Sequence, residues 1–274
     1  MNKFLRATGL FFAGILLLTG AAVAVLPLPG DIPVLMYHAI DTPERAALEK
    51  NVVSRQSFER QMAFLAALRY RVLSMREYEE IIYGKRKPHG REILITFDDG
   101  DHSFASQAFP VLKKYRLPVT LFLISAHLEN GVYGSMQTEM IRELLKNPWI
   151  TVQSHSRTHP LLSQVDDAAL ENELAGAKKE LEDLFQAPIR AIAYPSGDMD
   201  QRVADAARKY GYTVAFTTSA KKLRGISEGP WSLTRVKISR TSDFLPAFWI
   251  KISGVYENVR RLRRSIKTRF RAEA

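Results

Sequence analysis

The sequence contains no cysteine among its 274 residues. Disulfides, thiolate metal sites and cysteine nucleophiles are therefore excluded, and any metal ion must bind to histidine and carboxylate side chains. Histidine is also scarce, with 6 residues in the chain, and none of them follows His159. Internal repeats and low-complexity blocks are missing as well, and the apolar fraction of 46% with 25% charged residues is typical of a globular protein.

Residues 1–30 have the layout of an export segment. Lys3 and Arg6 precede GLFFAGILLLTGAAVAVLPLPG, a mostly apolar run that is long enough to cross a bilayer. A small-x-small pattern at residues 22–24 fits a cleavable signal peptide, and the length of the run fits an uncleaved membrane anchor equally well. In either case we expect the rest of the chain outside the cytoplasm, as a cell-membrane-anchored or a secreted, periplasmic protein.

Basic residues are concentrated at the C-terminus. The formal net charge is +10, and Lys251–Ala274 holds eight Lys or Arg against two Glu. Apolar residues in this segment fall at helical spacing, at Val259, Leu262, Ile266 and Phe270. The spacing predicts a basic amphipathic helix that could lie on anionic lipid or an acidic polymer, and a solvated, frayed helix is the alternative. We expect no nucleic-acid partner, because an exported chain without a recognition motif is a poor candidate for one.

From residue 31 onward, β-rich apolar runs alternate with longer amphipathic segments. Strands are predicted at Val34–Tyr37, Arg71–Leu73, Ile93–Phe97, Val119–Leu123, Trp149–Gln153, Ile189–Ala193, Thr213–Thr217 and Leu233–Ile238. Helices are predicted at Ser57–Leu68, Met75–Tyr83, Ser103–Tyr115, Thr138–Lys146, Asp166–Phe185 and Asp200–Tyr210. Alternating strands and helices indicate βα units with a parallel sheet, and eight strands indicate an α/β barrel. We assign residues 31–243 to the barrel and residues 244–274 to a basic C-terminal extension.

The chemically reactive residues directly follow predicted strands. They are His38 after VLMY, Asp98 and Asp99 after ILITF, His155 after WITVQS, and Pro195-Ser196-Gly197 after IRAIAY. Because the C-terminal ends of parallel strands meet at one end of a barrel, we expect these four segments to share one mouth.

The FDDG and QSHSRTH segments each allow two interpretations. Gly100 lets the chain turn directly after Asp98 and Asp99, so both carboxylates can face one pocket, although a turn that caps the next helix has the same composition. His155 and His159 are four residues apart and could share a divalent ion from one helical turn or a tight loop. An arbitrary HxxxH pair, however, more often binds no metal.

In combination, ITFDDG, HSRTH and AYPSG resemble the motifs of the NodB-homology polysaccharide deacetylases, a carbohydrate esterase family that removes N-acetyl groups from amino-sugar polymers. The resemblance extends roughly from Pro33 to Arg240 and includes PVLMYH and FPVLKKYRLPVTLFL. It implies a distorted (β/α) barrel of seven to eight parallel strands. In this chain the barrel would carry an N-terminal transmembrane or signal helix and a C-terminal basic helix.

The resemblance also implies roles for individual residues. Asp98 corresponds to the general base of the family. Asp99, His155 and His159 correspond to the ligands of one divalent metal ion, and a His₂Asp ligand set favours Zn²⁺. The two adjacent carboxylates would thus divide the work, since one binds the cation while its neighbour accepts a proton from water.

The general acid of the family is missing from its usual place. Many members carry a Leu-x-His near the C-terminus, whereas LTRVKI occupies that region here. PVLMYH instead resembles the start of the circularly permuted poly-N-acetylglucosamine deacetylases, in which the acid histidine comes first, so His38 is predicted as the general acid. We expect His89 and His127 at the surface and His102 at the rim of the site.

The arginine that steadies the base is also missing from its usual place, because AIAYPSG stands where the longer family motif has Arg-x-Pro-Tyr. Arg190 and Arg235 are the supporting candidates, and either could equally be a surface charge. The resemblance further places the oxyanion beside a backbone N–H near Tyr194, with Pro195 at the substrate.

The sequence therefore predicts an extracytoplasmic, metal-dependent hydrolase that deacetylates an N-acetylated polysaccharide. Peptidoglycan, a lipid-linked sugar or a short oligosaccharide are alternative substrates for the same chemistry. A barrel that binds polymer without turning it over is the alternative from another class. The N-terminal helix is the predicted membrane contact, and the basic C-terminal helix is a second candidate for one.

Overall fold

The computed structural model describes residues 32–128, 132–218 and 229–253. The strands are β1 (Val34–Tyr37), β2 (Ala39–Asp41), β3 (Val52–Ser54), β4 (Arg71–Leu73), β5 (Glu92–Phe97), β6 (Val119–Leu123), β7 (Ile150–Ser154), β8 (Ala191–Ala193), β9 (Val214–Thr217), β10 (Leu233–Thr234) and β11 (Val236–Lys237). The α-helices are α1 (Pro43–Leu48), α2 (Arg55–Ala67), α3 (Met75–Ile82), α4 (Phe109–Tyr115), α5 (Thr138–Leu145), α6 (Asp167–Glu171), α7 (Ala177–Phe185), α8 (Gln201–Lys209) and α9 (Leu245–Ile252). Two π-helical turns, Phe104–Ala108 and Asn172–Gly176, directly precede α4 and α7.

The strands form a nearly closed parallel barrel. The order across the main sheet is β10-β9-β8-β7-β6-β5-β1-β11, each neighbouring pair is parallel, and β4 also pairs with β5. Only Arg235 separates β10 from β11, so the two edges of the sheet are consecutive pieces of one chain segment. The predicted α/β parallel barrel is confirmed. A separate small sheet pairs β2 with β3.

Side chains along the strands alternate between the barrel interior and the surrounding helices. On β5, Ile93, Ile95 and Phe97 pack in the large cluster that includes helix residues, whereas Leu94 packs in a second cluster built mostly from strand residues. The second cluster fills the barrel interior. Because successive side chains on a strand face opposite sides, the interior position of Leu94 predicts an interior position for Asp98 as well.

Side-chain caps fix where several helices begin. The hydroxyl of Ser54 accepts a hydrogen bond from the Ser57 amide at 3.2 Å at the start of α2. Ser74 and Glu77 form a reciprocal capping box at the start of α3. These contacts satisfy amide groups that have no partner within the helix, and each typically contributes about 1 kcal/mol.

The predicted helix Ser103–Tyr115 is divided in the structure. Its first part is the π turn Phe104–Ala108, and regular α-helix begins only at Phe109. Pro110 explains the division, because a proline inside a helix has no amide to donate and its ring crowds the preceding turn.

The sequence did not predict β2, β3 or α1. These elements have three, three and six residues, which is too short for a helical or strand period to be recognised. Helix α9 lies in the region assigned to the basic extension. Its Phe248 and Ile252 are nevertheless part of the main hydrophobic core.

No helix within 32–128, 132–218 and 229–253 is both long and apolar enough to span a bilayer. The predicted N-terminal signal or membrane helix, residues 1–30, lies outside the described residues. The amphipathic segment from Val259 to Phe270 lies outside them as well.

Candidate active site

The C-terminal ends of β1, β5, β7 and β8 bring the predicted site residues together. In the parallel register, Tyr37 of β1 lies opposite Phe97 of β5, and the Asp98 amide donates to the Tyr37 carbonyl at 2.9 Å. His38 and Asp98 therefore leave neighbouring strands at the same level. On the other side, Ser154 of β7 lies opposite Ile192 of β8. The shared mouth predicted from the sequence is present in the fold.

Asp98 is buried and is held by Arg235. Both carboxylate oxygens accept hydrogen bonds from the guanidinium, each at 2.6 Å, and one guanidinium nitrogen also donates to the Thr96 hydroxyl at 3.2 Å. Burial raises the pKa of Asp98, but the charges of Arg235 and His155 outweigh it and leave the pKa below its usual value. Asp98 is thus kept as an ionised proton acceptor at neutral pH.

Asp99 is turned away from the strand direction by its backbone. Its φ is 67° and that of Gly100 is 73°, both in the left-handed region. A side chain at position 100 would also meet Leu123, because an ideal Cβ there lies 3.0 Å from the Leu123 Cδ2 atom. Glycine is therefore required after the two aspartates, and the turn aims Asp99 at the same mouth as Asp98.

His155 and His159 complete a compact group with Asp99. The Asp99 Oδ1 atom lies 3.4 Å from His155 Nε2 and 3.8 Å from His159 Nε2. One possible ligand atom from each of the three side chains lies within 4.8 Å of the other two. The imidazole of His155 also lies 4.8 Å, centroid to centroid, from that of His159.

The tautomer of His155 is fixed by the neighbouring strand. Its Nδ1–H donates to the Ala193 carbonyl at 2.6 Å, which orients the ring so that Nε2 faces Asp99. A backbone partner on the second ring nitrogen is the arrangement that orients metal-binding histidines. Two imidazoles and one half-exposed carboxylate, with room for solvent, therefore fit a divalent ion of the zinc type.

The charge balance also favours a cation at this group. Burial and the positive charge of His155 lower the pKa of His159, so His159 is neutral and able to donate its lone pair. The pKa of Asp99 is raised by burial, but the three histidines nearby hold it well below its usual value. Asp99 is therefore ionised throughout the neutral range, as a cation ligand would have to be.

The two histidines lie on a loop rather than on a helix. Ser156 and His159 have φ values of 63° and 66°. The Ser156 amide donates to the Ser154 hydroxyl at 3.2 Å, and the His159 amide donates to the Ser156 hydroxyl at 3.0 Å. Of the two geometries that the HxxxH spacing allowed, the structure has the tight loop.

His38 lies at the mouth beside Asp98. It is half-buried, and its Nδ1 is a buried atom without a hydrogen-bond partner in the described chain. Burial lowers the pKa of His38, while the negative charges of Asp98 and Asp99 partly offset this effect. The lowered pKa favours the neutral imidazole at neutral pH, so it is the position of His38 beside the two carboxylates that makes it a candidate proton donor.

The structure distinguishes between the two candidate arginines, Arg190 and Arg235. Arg190 is exposed and stands immediately before β8, at the end of the barrel opposite the mouth. Its carbonyl accepts from the Thr213 amide at 2.7 Å, and it does not contact Asp98. Arg235 makes that contact instead, because it faces the interior at the break between β10 and β11.

The structure shows which of the backbone amides near Tyr194 already have a hydrogen-bond acceptor. The amide of Tyr194 donates to the Phe216 carbonyl at 2.9 Å within the sheet, and Pro195 has no amide hydrogen. The Tyr194 side chain faces the outer layer, where its hydroxyl donates to the Trp231 carbonyl at 3.0 Å. No acceptor for the next amide, that of Ser196, lies among the described residues. Ser196 belongs to the Pro195-Ser196-Gly197 segment predicted at the mouth, although no role was assigned to its amide.

The remaining histidines lie around the mouth or away from it. His102 is exposed, as expected for a rim residue, and its Nδ1–H donates to the Gly134 carbonyl at 2.9 Å. His89 is exposed in the loop before β5. His127, which was expected at the surface, is half-buried and close enough for the charge of Asp99 to influence its pKa, which burial lowers.

Comparison with known proteins gives the family. The model of the polysaccharide deacetylase family matches residues 85–215. A Bacillus subtilis protein named as a polysaccharide deacetylase, YxkH, is 30% identical over 211 residues, which cover 77% of this chain and 72% of the relative. The chain belongs to the polysaccharide deacetylase family. This deacetylase is accordingly a hydrolase of non-peptide carbon–nitrogen bonds, as the motifs indicated.

Two further proteins are similar to this deacetylase. The poly-β-1,6-N-acetyl-D-glucosamine N-deacetylase of Staphylococcus aureus is 27% identical over 184 residues, which cover 62% of this chain and 62% of the relative. The deacetylase PplD of Streptococcus pyogenes, solved in complex with acetate, superposes with a TM-score of 0.72 at 27% identity. That superposition covers 82% of this chain and 99% of the PplD chain.

Proposed function

We propose that this deacetylase is metal-dependent and that it hydrolyses N-acetyl groups on an amino-sugar polymer outside the cytoplasm. The observation that carries the proposal is the juxtaposition of two groups. Asp99, His155 and His159 offer three ligand atoms within 4.8 Å of one another, and the ionised carboxylate of Asp98 lies 3.9 Å from the His155 Nε2 atom. A cation site directly beside a proton acceptor is what amide hydrolysis by activated water needs.

The chemistry divides between the two carboxylates. A divalent ion bound by Asp99, His155 and His159 supplies Lewis acidity, which polarises the acetamide carbonyl and acidifies a water molecule. Asp98 accepts a proton from the attacking water while the water oxygen forms a bond to the carbonyl carbon. Arg235 keeps Asp98 ionised and fixes both of its oxygens, so the carboxylate does not rotate away from the water.

Breakdown of the tetrahedral intermediate requires a proton donor. His38 donates its proton to the amide nitrogen as the carbon–nitrogen bond breaks, which releases acetate and leaves a free amine on the sugar. The Ser196 amide, which has no acceptor among the described residues, is the proposed backbone donor to the oxyanion. Ser196 lies in the turn Pro195–Gly197, beyond the end of β8, and has a φ of 54°.

The proposed substrate is a β-linked N-acetylglucosamine polymer. Support comes from the S. aureus relative, whose name gives poly-β-1,6-N-acetyl-D-glucosamine as its substrate, and from the early position of His38 in the chain. Peptidoglycan, lipid-linked sugars and short oligosaccharides are the competing substrates. Acetate release from a panel of these acetylated glycans, with and without a chelator, identifies the substrate and tests the dependence on metal in one experiment.

Three variants test the division of roles. We expect Asp99→Ala and His155→Ala to lose stoichiometric zinc, because each removes one of three ligands. Asp98→Asn should keep the zinc and lose acetate release, because it removes only the proton acceptor. Metal content by atomic emission and acetate release by a coupled assay give both readouts. Equal loss of metal in all three variants would contradict the division.

The proposed location is the outer face of the membrane or the space beyond it. The support is the sequence of residues 1–30, with basic residues before a long apolar run. N-terminal sequencing of the protein from membrane and soluble fractions tests the proposal. An intact N-terminus in the membrane fraction indicates an anchor, and a new N-terminus after residue 24 indicates a cleaved signal.

A further inference from the structure

The loop that carries the two histidines has an unfavourable backbone conformation. Within this histidine loop, residues 155–159, Ser156 and His159 both have positive φ values, which residues other than glycine rarely adopt. Such a conformation persists only when contacts with the surrounding structure compensate for its strain. Some contact from outside the loop must therefore hold it.

Two backbone hydrogen bonds reach the loop from the segment after β6, from the Ser125 amide to the Ser156 carbonyl at 3.3 Å and from the Ala126 amide to the Arg157 carbonyl at 3.0 Å. The side-chain contact to the loop amides comes from Glu173, a residue that is only 5% exposed. One carboxylate oxygen accepts hydrogen bonds from the backbone amides of Arg157 and Thr158, each at 2.9 Å. The other oxygen accepts from the Thr158 hydroxyl at 2.5 Å. Two amides that point the same way thus converge on one anionic group, midway between His155 and His159.

The position of Glu173 depends on an irregular helical turn. It lies in the π turn Asn172–Gly176, between α6 and α7. Leu170, Leu174 and Leu181 of the same continuous segment are buried in the main core, which fixes the segment against the barrel. π turns within longer helices are frequent at functional sites, where the extra residue redirects a side chain.

We propose that Glu173 is a positioning residue that sets the histidine loop in its metal-binding geometry before any ion arrives. The inference rests on the proposed metal site formed by Asp99, His155 and His159. Glu173 contacts neither the ion nor the substrate in this scheme. It acts through the two backbone amides between the ligands. Without Glu173, part of the free energy of metal binding would be used to bring the histidine loop into its strained conformation.

Glu180 provides a matched comparison on the same segment. It is also a carboxylate that reaches the histidine loop, and it accepts hydrogen bonds from the Arg157 Nε–H at 2.7 Å and the Ser125 hydroxyl at 2.6 Å. Its contacts are to side chains, however, and its own side chain is 38% exposed. Loss of Glu180 should therefore leave the backbone of the histidine loop in place.

The test measures zinc affinity of the full-length apoprotein by competition with a chromophoric chelator. Glu173→Gln keeps the size of the side chain but removes its negative charge and leaves one acceptor oxygen in place of two, so we expect its zinc affinity to fall by about 10- to 100-fold. Glu180→Gln should bind zinc within about twofold of the wild type. A second readout is the acetate-release rate of Glu173→Gln, which should recover as zinc is raised to saturation, whereas a purely structural defect would not be rescued.

A milder variant covers the case in which Glu173→Gln does not fold. Thr158→Val removes only the hydroxyl contact to Glu173 and leaves both amide contacts, so we expect a smaller loss of zinc affinity, about two- to fivefold, on a folded protein. Unchanged affinity in Glu173→Gln, or in Thr158→Val where that variant alone can be measured, overturns the positioning role and leaves the metal site intact. A wild-type apoprotein that binds no zinc would instead overturn the proposed function, and the role of Glu173 with it.

Discussion

Strand β5 begins and ends with a buried carboxylate that is paired with an arginine. At its first residue, Glu92 accepts two hydrogen bonds from the Arg86 guanidinium, both at 2.8 Å, and one from the His89 amide at 3.0 Å. Directly after its last residue, Asp98 accepts two from Arg235. Both carboxylates are buried and accept two hydrogen bonds from a guanidinium, through one oxygen in Glu92 and through both oxygens in Asp98, and they lie at opposite ends of the barrel.

The difference between the two pairs lies in what surrounds them. The oxygens of Glu92 face Arg86 and a loop amide, and no metal-binding group forms around them among the described residues. Asp98 faces His38 and His155 and adjoins the half-exposed Asp99. A buried ion pair alone is thus weak evidence for a catalytic site, and the titratable neighbours of the pair distinguish one end of β5 from the other.

Backbone conformation separates the two ends in the same way. Positive φ values at non-glycine residues occur at two kinds of place in the described chain. Arg69, Arg116 and Gln186 follow helices α2, α4 and α7, where a left-handed residue commonly ends a helix. The others are at the mouth: Asp99, Ser156, His159 and Ser196. Strained backbone in this barrel therefore either ends a helix or shapes the candidate site.

The largest expected effect comes from neutralising one carboxylate at each end. Asp98→Asn should reduce the rate of acetate release by about 10²- to 10⁴-fold, because the proton acceptor is lost. Glu92→Gln should leave that rate within about twofold, although it removes the charge partner of a buried arginine and costs about 3–5 kcal/mol of stability. Steady-state kinetics measures the loss of rate, and thermal unfolding measures the loss of stability, in both variants. A comparable rate loss in Glu92→Gln would remove the distinction between the ends.

The next effect concerns the proton donor at the mouth. His38→Gln should slow turnover by about 10²-fold with little change in KM, since the side chain acts on the leaving nitrogen rather than in binding. The measurement is kcat on the preferred glycan, with His89→Gln as the control, because His89 is an exposed histidine beside the Glu92 pair. A wild-type rate in His38→Gln would return the role to His102 or to solvent.

A smaller effect is expected in the pH profile of the Arg235→Met variant. In the wild type the pKa of Asp98 lies below its usual value. The carboxylate therefore stays ionised, and keeps its ion pair with Arg235, until the pH falls through the lowered pKa. Without Arg235 burial raises the pKa of Asp98, so the acidic limb of kcat/KM should move to higher pH. The matched substitution at the other end, Arg86→Met, should leave the limb in place.

The smallest effect is expected for Arg190→Ala. This exposed side chain lies at the end of the barrel where Glu92 is located, so we expect a change in stability of less than about 0.5 kcal/mol and an unmoved pH profile. Chemical denaturation measures the change in stability, and kcat/KM as a function of pH gives the pH profile. A shift of the acidic limb in this variant would show that the two ends are coupled.

Much of the barrel could be predicted from the sequence because its strands are apolar and are separated by long amphipathic helices. The predicted Val34–Tyr37, Arg71–Leu73 and Val119–Leu123 have the same bounds in the structure. Elements of three to six residues, such as β2, β3 and α1, carry too little periodicity to be recognised. Asp99, His155 and His159 were predicted as metal ligands from a family resemblance. The distances between them could be obtained only from the folded structure.

Contacts made across large sequence separations could not be predicted. Arg235 meets Asp98 only because β10 and β11 close the barrel beside β1, and no local pattern distinguishes it from Arg190. The amide of Tyr194 was excluded as an oxyanion donor by its partner in β9. Glu173 was missed because a single glutamate in an amphipathic helix looks like a solvated residue until the π turn places it against the histidine loop.

Closure of the barrel by the segment around Arg235 has a consequence for the order of maturation. Asp98 and its partner are 137 positions apart, and the partner lies between β10 and β11, which are synthesised after all three candidate metal ligands. Until that segment docks, the aspartate has no guanidinium to keep it charged inside the protein. A nascent chain that stops before β10 can therefore already contain all three candidate metal ligands and still lack the arginine that would make Asp98 a competent base.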